Sequence, residues 1–218
     1  MGKRSKFQRR EDDFYPTPRK AVLPLIPYLG AIRTFAEPCC GDGDLIRHLE
    51  SFDLRCVWQG DIRTGQNAFD FDHYGGADAI ITNPPFLRSV LNRMIPHFSR
   101  IAPTWTLLAI DWASTYDAAP ILPSCSDIIP IGRVKWIEDT EHASMENFGW
   151  LRFDVNHVSG PVFHRRGQVT ANSSSRNCSR CGRAYVPQRT SSLTCSNACR
   201  QARYRDRLNV TPVQRVSS

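Results

Sequence analysis

The residues best suited to do chemistry stand together at Asn83-Pro84-Pro85-Phe86. They offer a side-chain amide, two stiff backbone positions and an aromatic ring in direct succession. Each proline holds its own φ at about −65° and biases the preceding residue away from helix, so the Asn83 amide and the Pro84 carbonyl are presented in one rigid geometry. Two convergent acceptors suit an exocyclic amine. Each takes one N–H, the nitrogen lone pair is left oriented, and Phe86 supplies a face on which a planar ring can stack. Taken alone, the tetrapeptide reads equally well as a tight turn after an edge strand.

The elements that must position it are legible on either side. The run 77–82 is apolar and is closed by the two prolines, the pattern of a buried parallel strand. Asn83 therefore falls at a strand's carboxyl end, where open α/β sheets bind their ligands. A second such place lies upstream. Glu37-Pro38-Cys39-Cys40-Gly41-Asp42-Gly43-Asp44-Leu45 follows the apolar segment 32–36 and leads into a helical pattern of Leu45, Ile46 and Leu49. Glycines in a strand-to-helix turn let backbone approach a ligand closely, and a helix start adds partial positive charge. Ile46 stands where a dinucleotide fingerprint needs its third glycine, so pyrophosphate is not the best ligand for this turn.

With both motifs in this order, the chain resembles class I S-adenosylmethionine-dependent methyltransferases of the DNA N6-adenine type, over roughly residues 12–155. The resemblance implies a Rossmann-like α/β fold: a mostly parallel seven-stranded sheet with an antiparallel edge hairpin. It implies catalytic roles for Asn83, Pro84, Pro85 and Phe86. It places the cofactor against Glu37, Pro38, Cys39, Gly41 and Gly43, with Asn83 at its methyl end. Phe14, Tyr15, Pro16 and Thr17 match a segment that closes over the cofactor's methionine end. Thr17 before Pro18 also reads as a helix N-cap with proline at the first helical position.

The next strand, 55–59, ends at Gly60-Asp61-Ile62. A carboxylate at that place can accept both ribose hydroxyls, which makes Asp61 the candidate ribose ligand and Ile62 the adenine neighbour, the alternative being a surface turn. Asp70 and Phe71, in Asn67-Ala68-Phe69-Asp70-Phe71-Asp72, match the family's Asp-Phe segment near the cofactor's adenine, with Asp72 one place away. Further on, 133–137 and 148–155 read as an antiparallel pair at the far edge. Trp112, after the strand run 105–110, is open to either packing or substrate contact.

The 218 residues allow one domain of ordinary size and a small appendage. No apolar run is long enough to span a bilayer, and a soluble cytoplasmic protein with no membrane partner is expected. Charge is divided unevenly: residues 164–218 hold eleven arginines against Asp206 alone, a net of +10, which leaves −3 of the total +7 for residues 1–163. A basic tail on a slightly acidic body predicts a polyanionic partner, and the resemblance implies that this partner is DNA, with its target adenine turned out of the duplex. The boundaries read as a basic mobile arm at 1–11, a methyltransferase domain at 12–163, a linker at 164–177, a metal module at 178–208 and a disordered tail at 209–218.

In that module Cys178-x2-Cys181-Gly182 has the spacing of a zinc knuckle, and Cys195-x3-Cys199 supplies two more thiols at helical spacing. Four thiolates make a closed, structural zinc site with no position left for water. The segment resembles a small zinc-ribbon or treble-clef module. Arg200, Arg203, Tyr204, Arg205 and Arg207 on the following helix would face nucleic-acid phosphates.

Methyl transfer from a sulfonium donor needs alignment rather than an enzyme nucleophile, which leaves Cys39 and Cys40 without a covalent role. The other readings are an RNA amino-group methyltransferase, a protein glutamine methyltransferase, and a nucleic-acid-binding zinc protein with an inactive body.

Overall fold

The apolar stretch before Asn83 forms strand β3, Ala79–Thr82, buried along its whole length. The computed structural model describes residues 15–136, 143–165, 176–182, 184–185, 193–194 and 197–208. The chain divides into two compact units, Met1–Gly167 and Gln168–Ser218.

In the first unit β3 is joined by β1 (Thr34–Glu37), β2 (Arg55–Gln59), β4 (Thr104–Ala109), β5 (Cys125–Arg133), β6 (Asn147–Phe153) and β7 (Val162–Phe163) in one seven-stranded sheet of order β2-β1-β3-β4-β6-β5-β7. The pairs β1–β2, β1–β3, β3–β4 and β5–β7 are parallel, and β6 runs antiparallel to β4 and β5. This is the mixed, mostly parallel Rossmann-like sheet expected from the sequence.

Successive residues of a strand face opposite sides, and the core divides accordingly. Ile81, Leu107 and Trp150 pack on one face with Val22, Leu25 and Leu49 from helices α1 (Arg19–Val22) and α2 (Asp44–Glu50) and the turn after α1. Ile80, Leu108 and Leu151 point to the other face, where α3 (Arg88–Ile101) contributes Leu91, Ile95 and Phe98. Trp150 is fully buried, and its indole N–H donates to the Ala21 carbonyl at 2.8 Å, which ties α1 to the sheet.

Two elements differ from expectation. Strand β5 covers Cys125–Arg133, upstream of the expected stretch 133–137, and a register shift between Pro130 and Gly132 accommodates the proline within it. Helix α1 is only four residues long, since Pro24 follows it and cannot continue the hydrogen-bond ladder; its N-cap is Pro18, with no side-chain cap, rather than Thr17.

In the second unit two short strands, β8 (Arg176–Asn177) and β9 (Ala184–Tyr185), pair antiparallel, and helix α4 spans Asn197–Leu208. Among the described residues no helix is long and apolar enough to cross a membrane.

Candidate active site

The glycine turn is built by backbone that only glycine adopts without strain. Gly41 and Gly43 have φ of 53° and 80°, and Gly43 occupies the N-cap of α2. The turn is held from β2, where the Cys40 amide donates to the Gly60 carbonyl at 2.9 Å and the Asp61 carboxylate accepts from the Gly41 amide at 2.8 Å. Beneath it Glu37 is completely buried. Its Oε1 accepts from the Cys39 amide at 2.9 Å and the Thr82 hydroxyl at 2.5 Å, while Oε2 has no partner. Burial pushes the Glu37 carboxyl up from 4.5 to about 8, against the pull of the Thr82 and Cys39 hydrogen bonds. Burial likewise raises the Cys39 thiol well above its ordinary value, with neighbouring Glu37 adding to it, so this thiol stays protonated at neutral pH.

Asn83 stands immediately after β3. Its Nδ2 donates to the Thr17 hydroxyl oxygen at 3.1 Å and to the Tyr15 carbonyl at 3.4 Å. A carbonyl can only accept, so these contacts fix which end of the amide is nitrogen. The other end, Oδ1, is buried and has no hydrogen-bond partner. Thr17, expected as a cap, is therefore a partner of Asn83.

A cavity of about 650 Å³ opens over these groups, within the range of small-molecule and cofactor sites. It brings together Tyr15, Pro16, Thr17, Glu37, Pro38, Cys39, Gly41, Asp61, Ile62, Asn83 and Pro85 from the sequence expectation. Asp61 is nearly buried, and its Oδ1 accepts from the Arg63 amide at 2.9 Å and from Arg63 Nε at 3.1 Å. Ile62 stands at the mouth with 66% of its surface exposed, opposite in character to its buried neighbours.

Five of the expected residues that the structure describes lie off the lining. Gly43 shapes the turn from behind, and Pro84 is buried. Asp70 is exposed, and Phe71 packs edge-on against Trp58 with ring centres 5.0 Å apart. Their places are taken by Asn67, Ala68 and Phe69. The Asn67 side chain caps a 3-10 turn by accepting from the Phe69 amide at 3.2 Å, and His97 Nε2 holds the turn from α3 by donating to the Ala68 and Phe71 carbonyls at 3.2 and 3.0 Å. The capping asparagine is a visible signal in the sequence; the clamp from His97 is not.

Phe86 also stands outside the lining. It belongs to an aromatic group with Tyr15 (6.5 Å between ring centres, nearly parallel), Trp136 (5.8 Å) and Phe148 (5.5 Å). Trp136 follows β5 and Phe148 stands near the start of β6, and sequence reasoning missed them. It also passed over Leu87, Val90 and Met94, whose helical spacing sets one edge of α3 along the cavity. Trp112 is buried, with its indole N–H donating to Asn92 Oδ1 at 2.8 Å, so its role is packing. Phe14 lies outside the described residues.

In the second unit the sulfurs of Cys178, Cys181 and Cys199 lie within 4.8 Å of one another. Gly182, with φ of 71°, returns its amide to the Cys178 carbonyl at 2.9 Å and closes the knuckle turn. Arg180 bridges to Asp206 on α4 at 3.0 Å. Helix α4 begins at Asn197, so Cys199 is in its first turn; Cys195 lies outside the described residues. Arg205 is exposed and Arg203 half-buried, and the side chains of Arg200, Tyr204 and Arg207 lie outside the described residues.

No family model and no curated protein matches this chain. Among solved structures, a protein described as a class I S-adenosylmethionine-dependent methyltransferase from Listeria monocytogenes aligns with 71% of this chain and 66% of its own, at 13% identity and a TM-score of 0.47. A dimethyladenosine transferase from Plasmodium falciparum aligns with 64% of this chain and 62% of its own, at 13% identity and 0.43. A protein from Pyrococcus horikoshii described as an RNA methyltransferase aligns with 66% and 87%, at 15% identity and 0.43. The chain thus spans just under two-thirds of the first two proteins.

Proposed function

We propose that the first unit transfers a methyl group from S-adenosylmethionine to the exocyclic N6 amino group of adenine in DNA. The observation that carries this reading is Asn83 Oδ1, buried and without a partner at the end of β3, beside the cavity that also receives Glu37, Asp61 and the glycine turn. A buried acceptor left unmade costs about 1–3 kcal/mol, which a substrate N–H would recover.

The residues present fit the cofactor. The unpartnered Glu37 Oε2 can accept from an ammonium group, and Asp61 keeps acceptor capacity on Oδ2 beyond the Gly41 amide. Ile62 and Phe69 offer apolar walls for a purine. When bound, S-adenosylmethionine supplies the electrophilic methyl group. Asn83 Oδ1 would accept a hydrogen bond from one N–H of the substrate's amino group and the Pro84 carbonyl from the other, holding the nitrogen lone pair in line, and the methylated nitrogen would lose its surplus proton to water. No side chain need form a covalent bond, in keeping with the protonated Cys39.

The second unit fits a structural zinc ion. Tetrahedral coordination at 2.3 Å places sulfurs about 3.8 Å apart, and the three described thiols cluster within reach of that geometry. Cys195 would be the fourth ligand, and the arginines of α4 would bind phosphates.

Transfer of labelled methyl groups to duplex DNA, unmethylated RNA and protein tests the reading. Label on N6 of adenine in DNA is the expected result. Label confined to RNA or to a protein amide would move the substrate class, and no label on any acceptor would refute the activity.

A further inference from the structure

We infer that Thr17 is a positioning residue for Asn83: its hydroxyl oxygen, together with the Tyr15 carbonyl, pins the amide nitrogen and so aims Oδ1 at the substrate's amino group. This deepens the proposed methyl transfer and rests on it. The role differs from the two expected from sequence, a helix N-cap and contact with the cofactor.

Three observations carry the inference. Thr17 is 4% exposed and stands 66 residues from Asn83 in sequence, yet its Oγ1 meets Asn83 Nδ2 at 3.1 Å. The second partner of that nitrogen, the Tyr15 carbonyl at 3.4 Å, belongs to the same short segment and also can only accept there. A half-turn of the amide would set Oδ1 against the Tyr15 carbonyl, oxygen to oxygen, and would point the nitrogen's protons where the substrate's protons must go.

The segment is itself anchored. Helix α1, which begins two residues after Thr17, is tied to the sheet by the hydrogen bond from Trp150 to Ala21. On the other side, the hydrogen bond from Thr82 to Glu37 fixes the residue before Asn83. Asn83 is thus held through its backbone at the end of β3 and through its side chain by the segment that leads into α1, so its free oxygen has one direction. Such preorganisation acts on turnover, because the acceptor must be aligned when the nitrogen becomes nucleophilic.

The test uses the full chain as wild type and as Thr17→Val, Thr17→Ala, Thr17→Ser, Asn83→Ala and Thr17→Val/Asn83→Ala. Turnover on adenine-containing duplex DNA, S-adenosylmethionine affinity by calorimetry and the thermal midpoint are measured for each. Removing the hydroxyl with Val or Ala should lower kcat roughly 10- to 100-fold with cofactor Kd changed by no more than about twofold. Ser should recover most of the turnover. The double variant should be no slower than Asn83→Ala, since both changes remove one arrangement. Unchanged kcat in Thr17→Ala, a loss explained by weaker cofactor binding, or independent multiplication of the two effects would overturn the inference while an active wild type left the methyl-transfer reading standing. A wild type inactive on every acceptor would overturn both.

Discussion

The Thr82 hydroxyl donates to Glu37 Oε1 at 2.5 Å, so the ends of β3 and β1 are joined by side chains beside the cavity. That bond is the sole described side-chain hydroxyl contact to a carboxyl whose burial raises it to about 8.

The raised carboxyl gives stability a definite pH dependence. Folded protein keeps a proton on Glu37 that unfolded chain releases near 4.5, so this group's contribution is intact below that value. It declines as pH rises towards 8 and is constant above, with a slope of about 1 kcal/mol per pH unit between. Thermal midpoints across this range should fall with pH, and Glu37→Gln should flatten the profile. A cationic cofactor beside Glu37 should also release a proton on binding near pH 7, seen as a buffer-dependent heat in calorimetry.

Asn83→Asp replaces the donating nitrogen with an oxygen facing the Tyr15 carbonyl. Turnover should drop by about 100- to 1000-fold, the size of effect seen when one preorganised polar partner is lost from a reacting centre. Cofactor affinity should stay near wild type. Steady-state kinetics beside equilibrium binding separates the two.

Phe69 and Phe71 should respond differently to truncation. Phe69 lines the cavity with the Arg93 guanidinium 4.7 Å from its ring centre, and Phe69→Ala should weaken cofactor binding by roughly tenfold. Phe71→Ala removes packing on Trp58 and should cost about 2–3 kcal/mol of stability with affinity largely kept. Calorimetric titration and chemical denaturation distinguish these outcomes.

Metal analysis of the purified chain should find about one zinc per molecule. Cys181→Ser, or a strong chelator, should remove it and weaken DNA binding in a salt-dependent way. Residues of the first unit should keep their cofactor affinity, because that site draws no ligand from the cysteine cluster. Zinc content equal to wild type in the serine variant would refute the ligand assignment.

What could be read from sequence followed the range of the forces involved. The motif at residues 83–86 and the glycine turn were legible because β-branched runs and stiff punctuation are local. Thr17 is not the cap that the local Thr-Pro pattern suggested, because its actual partner, Asn83, is remote in sequence. The shift from Asp70 and Phe71 to Asn67 and Phe69 has the same origin: His97 on α3 decides how the turn sits. Strand β5 was obscured by Pro130 and Gly132, which a bulge accommodates only when β6 lies alongside. Trp136 and Phe148 meet Phe86 through strand order, which no single segment encodes.

Strand β6 runs against its neighbours, and its pairing sets Phe148 opposite Ala109, at the finishing end of β4. A strand reversed in this way delivers its opening residues, rather than its closing ones, to the rim where the other strands terminate. Phe148 thereby borders Phe86, while the turns that line the cavity follow β1 and β2 on the opposite wing of the sheet. The aromatic rim and the turns that line the cavity are supplied by separate stretches of chain, so each can change under mutation without the other.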